Sequence, residues 1–100
     1  MSYVPAVSYR FLHVGINFRS GVMKVKELEP IFDRAPAWYR YGPGGWILVT
    51  NESIDTWYGV LKPHLSDQDY FLIAELNMKG YQGWLPADGW KWVEKHGGVP

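Results

Sequence analysis

The sequence contains no cysteine, no excess of either charge and no long apolar run. The absence of cysteine excludes disulfides, thiolate catalysis and cysteine-ligated zinc. Ten basic and ten acidic side chains give a formal net charge of zero, whereas proteins that bind nucleic acid by bulk electrostatics usually carry a basic excess. No apolar run approaches the roughly 20 residues of a membrane span, and no signal-peptide core follows Met1. We therefore expect a cytoplasmic protein with no membrane partner.

Aromatic residues, in contrast, are abundant: they make up 17% of the chain and include six tryptophans and seven tyrosines. A length of 100 residues predicts one domain, spanning 1–100, with a single modest core. Such a core cannot enclose so many rings. Some of them are therefore expected at an interface, where tyrosine and tryptophan are enriched.

The segment 38–50 predicts a β-hairpin at the centre of a small sheet. Its aromatic and β-branched residues suit a pleated surface, and the run Gly42-Pro43-Gly44-Gly45 supplies the chain reversal. The alternation of apolar side chains predicts two further strands, at 9–18 and 70–76. Residues 1–8 are expected to form a loose arm or a short edge segment.

Helices are expected between and after these strands. Apolar spacing indicates one helix over 22–35, which Pro30 either kinks or starts late, and another over 54–65. A short tryptophan-rich helix is expected to open at Pro86 and to end near Gly97. The order βαββαβ, followed by this C-terminal extension, predicts an α+β fold. Specifically, it predicts a ferredoxin-like sandwich with a four-stranded antiparallel sheet and two helices on one face.

The face of the sheet away from the two helices is expected to be apolar as well. The period of two places alternate residues from Phe11 to Asn17 and from Phe71 to Glu75 on it, with the even or the odd positions of 46–49. A solvated face would alternate polar residues instead. We expect a second copy of the chain, the tail 84–93 or another partner to bury this face, with a symmetric homodimer favoured. The predicted interface residues are Phe11, His13, Leu48, Phe71, Ile73, Trp84 and Trp90.

Several segments together form a recognisable pattern. They are the strand 11–19 leading into a helix, the hairpin ending Trp46-Ile47-Leu48-Val49-Thr50, the helix 54–65, the block 69–76, Gly83-Trp84-Leu85 and Trp92-Val93. The pattern resembles the small ferredoxin-like family of the CRISPR-associated endoribonuclease that partners the spacer integrase, and of its stand-alone bacterial relatives. The resemblance covers about residues 9–95 and implies a dimeric scaffold.

The resemblance also implies a position for a metal ligand. In that family the first strand ends in an aspartate that faces its mate in the dimer and is proposed to hold a divalent metal. The matching position here is Asn17. An asparagine carbonyl oxygen can ligate a hard cation but brings no charge, so two asparagines would make a poor magnesium site.

The sequence therefore predicts a non-catalytic, dimeric binding or scaffold protein with no cofactor and no metal site. His13, His64 and His96 are not spaced as metal ligands. One alternative is a magnesium-dependent endoribonuclease that uses Asn17 with Glu75. Another is a binder of nucleotides or single-stranded nucleic acid through an aromatic and arginine surface. The residues predicted for that surface are Arg19, Trp38, Arg40 and Trp46, with Tyr39 and Tyr41 as further stacking rings.

Overall fold

A computed structural model of the chain describes residues 8–19 and 24–97. They form strands, α-helices and one short 3-10 helix, and no helix among them is long and apolar enough to cross a membrane. The elements are β1 (Arg10–Asn17), α1 (Val25–Phe32), β2 (Ala37–Gly42), β3 (Gly45–Thr50), α2 (Ile54–Leu61), the 3-10 helix (Lys62–His64), β4 (Tyr70–Leu76) and α3 (Ala87–His96).

The strands form one four-stranded sheet in the order β2-β3-β1-β4, and every neighbouring pair is antiparallel. Alternate residues of the central strands face α1 and α2 and are buried against them. The predicted α+β class and the antiparallel four-stranded sheet are thereby confirmed. The buried cluster on this side contains Leu12, Val14, Ile16, Leu28, Phe32, Ala35, Trp46, Leu48, Trp57, Leu61 and Leu65.

A group of stacked rings forms the centre of this core. The Phe32 ring lies 4.6 Å from that of Trp46 and 6.3 Å from that of Trp57, measured between centroids. The indole Nε1–H of Trp57 donates a hydrogen bond to Thr50 Oγ1 at 3.1 Å. Because these rings come from α1, β3 and α2, the stack joins both helices to the sheet.

Two prolines bear on the predicted helix ends. Pro30 lies inside α1 and not at its start, so it does not begin the helix late. Pro63 lies in the 3-10 helix that continues α2, where the tighter turn accommodates a residue without a backbone N–H. The hairpin, β4 and the final helix match their predicted positions. The predicted arm at 1–8, apart from its last residue, and the start of the predicted helix at 22 lie outside the described residues.

The prediction of which side of β4 packs against the helices is wrong. Phe71 pairs with Ile16 and Ile73 with Val14 across the β1–β4 ladder. Cross-strand partners share a face, so Phe71 and Ile73 pack against the helical core and not on the opposite side. Because β4 is apolar on both sides, its own alternation does not reveal which side meets the helices.

Leu48 is also misplaced by the prediction. It pairs with Leu12 and is fully buried beneath the helices, so its side chain does not contribute to the opposite face. The hairpin instead presents its odd positions, Ile47 and Val49, on that side. The even and the odd positions of the hairpin are equally apolar, so only the pairing with β1 shows which of them faces the helices.

The turn at Pro43-Gly44 is held close to the end of β1. The Ile16 N–H donates to the Gly44 carbonyl oxygen at 2.7 Å, and a Cβ on Gly44 would overlap the backbone carbonyl oxygen of Ile16. A Cβ on Gly42, at the other side of the same turn, would meet nothing within 4 Å. Gly44 is therefore required by the close approach of two backbones.

We expect Gly44→Ala to lower the free energy of unfolding by about 1–3 kcal/mol, because the hairpin must move away from β1. Gly42→Ala is the matched control and should change it by less than about 1 kcal/mol. Urea denaturation of the two variants measures the difference. Equal losses would show that the contact between Gly44 and Ile16 does not constrain the turn.

Candidate functional site

The side of the sheet opposite α1 and α2, here called the second face, is almost entirely apolar. Its residues are identified by their cross-strand pairing with one another. It carries Phe11, His13, Gly15, Asn17, Ala37, Tyr39, Gly45, Ile47, Val49, Tyr70, Leu72, Ala74 and Leu76, and the Tyr41 side chain lies on it beside His13. Asn17 and His13 are its polar members apart from the tyrosine hydroxyls, so the expected apolar character of this face is confirmed.

Helix α3 covers one end of the second face. The Trp92 ring meets Phe11 edge-on at 6.4 Å and lies 5.9 Å from the ring of Tyr39. Gly89 allows this approach, because a Cβ there would lie 2.8 Å from the Tyr39 hydroxyl oxygen. Phe11 and Val93 are buried as a result.

The other end of the second face is open. Leu72 is 67% exposed, Tyr70 60% and Tyr41 44%, and these residues line one shallow groove with Gly15. We call Gly15, Tyr41, Tyr70 and Leu72 the ledge. Large apolar side chains clustered in this way are unusual on the surface of a monomer.

His13 forms a pair with Tyr41, which is a member of the ledge. His13 Nε2 lies 2.5 Å from the Tyr41 hydroxyl oxygen, and the two rings are 5.6 Å apart. Tyr41 falls at a β-bulge, where the register of β2 and β3 shifts between Arg40 and Gly42. Tyr41 is two residues after Tyr39 and shares the second face with it, and its side chain reaches across β3 to His13 on β1.

Two glycines opposite each other make room for this pair. Gly15 and Gly45 are cross-strand partners on β1 and β3. A Cβ on Gly45 would lie 2.5 Å from Cζ of Tyr41, and one on Gly15 would lie 3.0 Å from Cε1 of His13. The sheet therefore has a recess in which both rings lie.

Partial burial lowers the pKa of the His13 imidazole below its usual value. The ring is therefore neutral at pH 7. As the pH falls below about 6.5, the unfolded chain takes up a proton at this site before the folded protein does. The contribution of His13 to stability is accordingly present above about pH 6.5 and is lost as the pH falls toward the lower, folded-state pKa.

A cleft of about 360 Å³ lies beside this pair, between the second face and residues 77–93. Ile47 and Leu76 form its floor on the sheet. The stacked rings of Tyr81 and Trp90, with centroids 6.4 Å apart, form part of the opposite wall. Trp90 is half-buried here, whereas Trp84, at the mouth of the same cleft, is 98% exposed.

Asn17 and Glu75, the alternative catalytic pair, are not brought together within one copy. Asn17 is exposed on the second face at the end of β1, and Glu75 lies on the other face, 3.6 Å from Arg10. Glu75 lies five residues along β4 from Tyr70, the cross-strand partner of Asn17, which is a separation of about 17 Å. In the described part of the chain, no three histidine or carboxylate side chains converge as a metal site.

The predicted arginine and aromatic surface is divided between different parts of the molecule. The guanidinium of Arg19 lies 4.9 Å above the ring of Tyr70, beside the ledge. Trp38, Arg40 and Trp46 are on the helix-covered side of β2 and β3, whereas Tyr39 and Tyr41 are on the second face. Trp46 is fully buried, so its ring cannot stack on a ligand. The predicted residues therefore form no common clamp.

Trp38 and Arg40 have local partners that account for their positions. The Trp38 indole N–H donates to Asp33 Oδ1 at 2.9 Å. The Nη2 group of Arg40 donates to the carbonyl oxygen of Pro43 at 3.0 Å, and its guanidinium lies over the ring of Trp46. Both side chains contribute to the packing of the hairpin.

Tyr70 and Leu72 were missed as site residues in the sequence, and Tyr41 was expected to stack on a nucleotide and not to pair with His13. The available signal was the pair of glycines at 15 and 45, since a glycine inside a strand often marks a bulge or a close approach. The composition of the strands does not show that those two glycines face each other.

Comparisons of the chain with models of protein families, with curated proteins and with solved structures find no match.

Proposed function

We propose that the protein is a non-catalytic, dimeric scaffold or binding protein with a ferredoxin-like fold, and that two copies meet through the ledge. The element order and the strand order β2-β3-β1-β4 support the fold assignment, as does the position of α1 and α2 on one side. The proposed relationship to the ferredoxin-like family named above rests on the residues quoted for it in the sequence. The absence of cysteine is consistent with a cytoplasmic location.

The proposed dimer rests on one observation: Leu72 and Tyr70 are largely exposed on an apolar face of the sheet. Burying such a side chain contributes about 1.5–3 kcal/mol, and a two-fold axis counts each contribution twice. Because the formal net charge is zero, there is no net electrostatic repulsion between two copies.

The edge strand beside the ledge also favours a second copy. Among the described strands β4 pairs with β1 alone, and its sequence YFLIAEL contains one charged residue, Glu75, and neither proline nor lysine. Edge strands that remain unpaired are usually protected by such residues or by bulges. β4 therefore has the composition of a strand that becomes covered.

Multi-angle light scattering over a range of concentrations tests the proposal. We expect a mass of twice the 11.5 kDa of one chain, with dissociation only on dilution. A single-chain mass at the highest concentration would overturn the dimer. Magnesium-dependent RNA cleavage that Asn17→Ala abolishes would overturn the non-catalytic assignment, whatever the mass.

A further inference from the structure

We propose that the cleft between the second face and residues 77–93 binds a small, uncharged, planar molecule whose single N–H or O–H group donates a hydrogen bond to the Tyr41 oxygen. The cleft lies within one copy of the chain, so this inference does not depend on dimerisation. It goes beyond the scaffold function, because it assigns a ligand to the cleft, which shares only Tyr41 with the ledge.

The size and the walls of the cleft set the class of ligand. A volume of about 360 Å³ lies at the lower end of small-molecule sites, which favours one or two fused rings. Apolar side chains form the floor, and the stacked rings of Tyr81 and Trp90 offer a flat aromatic wall. A planar apolar ring is the shape that contacts both surfaces at once.

The lack of charged side chains in the cleft disfavours ionic ligands. None of the side chains that line the cleft is an aspartate, glutamate, lysine or arginine. His13, the one titratable imidazole there, is neutral at pH 7 because burial lowers its pKa. A charged ligand would lose its hydration in this cleft without gaining an opposite charge.

The hydrogen bond between His13 and Tyr41 leaves a defined polar group at one end. If the tyrosine donates its O–H to Nε2, its oxygen keeps lone pairs that can accept from a ligand. If Nε2–H is the donor instead, the phenol oxygen still has a second lone pair. In both tautomers Tyr41 can therefore accept a hydrogen bond.

The glycine pair fixes this acceptor in place before any ligand arrives. Gly45 and Gly15 leave room for the two rings, and the contact with His13 fixes the Tyr41 hydroxyl there. A polar group held in this way loses little conformational entropy when a ligand binds. Its position does not depend on the mobility of a long side chain.

Indole and indene are matched probes, because they share size and shape and differ in the N–H group. Their binding can be followed by two-dimensional ¹⁵N NMR, in which Trp90 reports on the cleft and Trp57 on the distant core. We expect indole to shift the Trp90 signal and to leave Trp57 unchanged. Indole should bind roughly three- to tenfold more tightly than indene, as one additional hydrogen bond implies.

Tyr41→Phe removes the acceptor and retains the ring. In this variant we expect indole and indene to bind equally, at the affinity of indene. Tyr70→Phe removes a hydroxyl from the same face outside the cleft, and should leave the preference for indole unchanged. Perturbation absent from Trp90, equal binding of the two probes to the unmodified chain, or a preference that survives Tyr41→Phe would each overturn the proposal.

Discussion

Replacing Phe32 by alanine is expected to lower the free energy of unfolding by about 3–5 kcal/mol. Phe32 is fully buried, and its ring contacts those of Trp46 and Trp57 as well as the half-buried Trp38, whose centroid is 6.2 Å away. Removing the ring leaves a cavity between α1, β3 and α2, which the large rigid indoles cannot fill by small movements. The loss therefore includes both the transfer of the ring and the cavity.

A loss of this size is a large part of the stability of such a domain. Small domains unfold with about 5–15 kcal/mol in total, so the variant should be partly unfolded well below the melting temperature of the parent. Chemical denaturation, followed by tryptophan fluorescence, measures the change. Trp84→Ala removes a larger ring that is 98% exposed, and should change stability by less than about 0.5 kcal/mol. Comparable losses in both variants would contradict the central place of Phe32.

The elements that the sequence predicts correctly are those whose signals are local. The run Gly42-Pro43-Gly44-Gly45 marks the reversal between β2 and β3, and Pro86 and Gly97 mark the two ends of α3. Each signal comes from backbone properties that operate within a few residues. The chain therefore specifies these boundaries without reference to tertiary contacts.

The facing of β4 could not be predicted because it depends on a partner strand. Both of its sides are apolar, so either side satisfies the period of two. The pairing of Ile73 with Val14 decides the matter, and that pairing is a long-range contact. The same reason accounts for Leu48, whose neighbours Ile47 and Val49 are equally apolar.

The candidate site was predicted only in outline. His13 was correctly placed on the second face, but its pairing with Tyr41 is a contact between residues far apart in the sequence, which neither residue type indicates. Trp46 was predicted to bind a ligand because it is aromatic, whereas its position opposite Val14 places it in the core. Residue type shows that a ring is apolar, but not whether it lies in the core, as Trp46 does, or at the surface, as Trp84 does.

The remaining large effect concerns association. If the ledge is the dimer interface, Leu72→Glu should raise the dissociation constant by about two to four orders of magnitude. Each copy loses the burial of one leucine, about 1.5–3 kcal/mol, and the two-fold axis doubles the loss. Every 1.4 kcal/mol is a factor of ten in the constant. Because Leu72 is 67% exposed in a single copy, its replacement should leave the folded chain intact.

Sedimentation equilibrium measures this dissociation constant, and circular dichroism verifies the fold of each variant. Asn51→Asp is the matched control, since it adds the same charge at an exposed bend after β3, at the end of that strand away from the hairpin turn. We expect the control to remain dimeric, because the copies would not meet there. A folded Leu72→Glu chain that associates as strongly as the parent would mean that the two copies meet elsewhere. The exposed side chains of the ledge would then remain in contact with solvent, and the physical basis for the proposed scaffold would be lost.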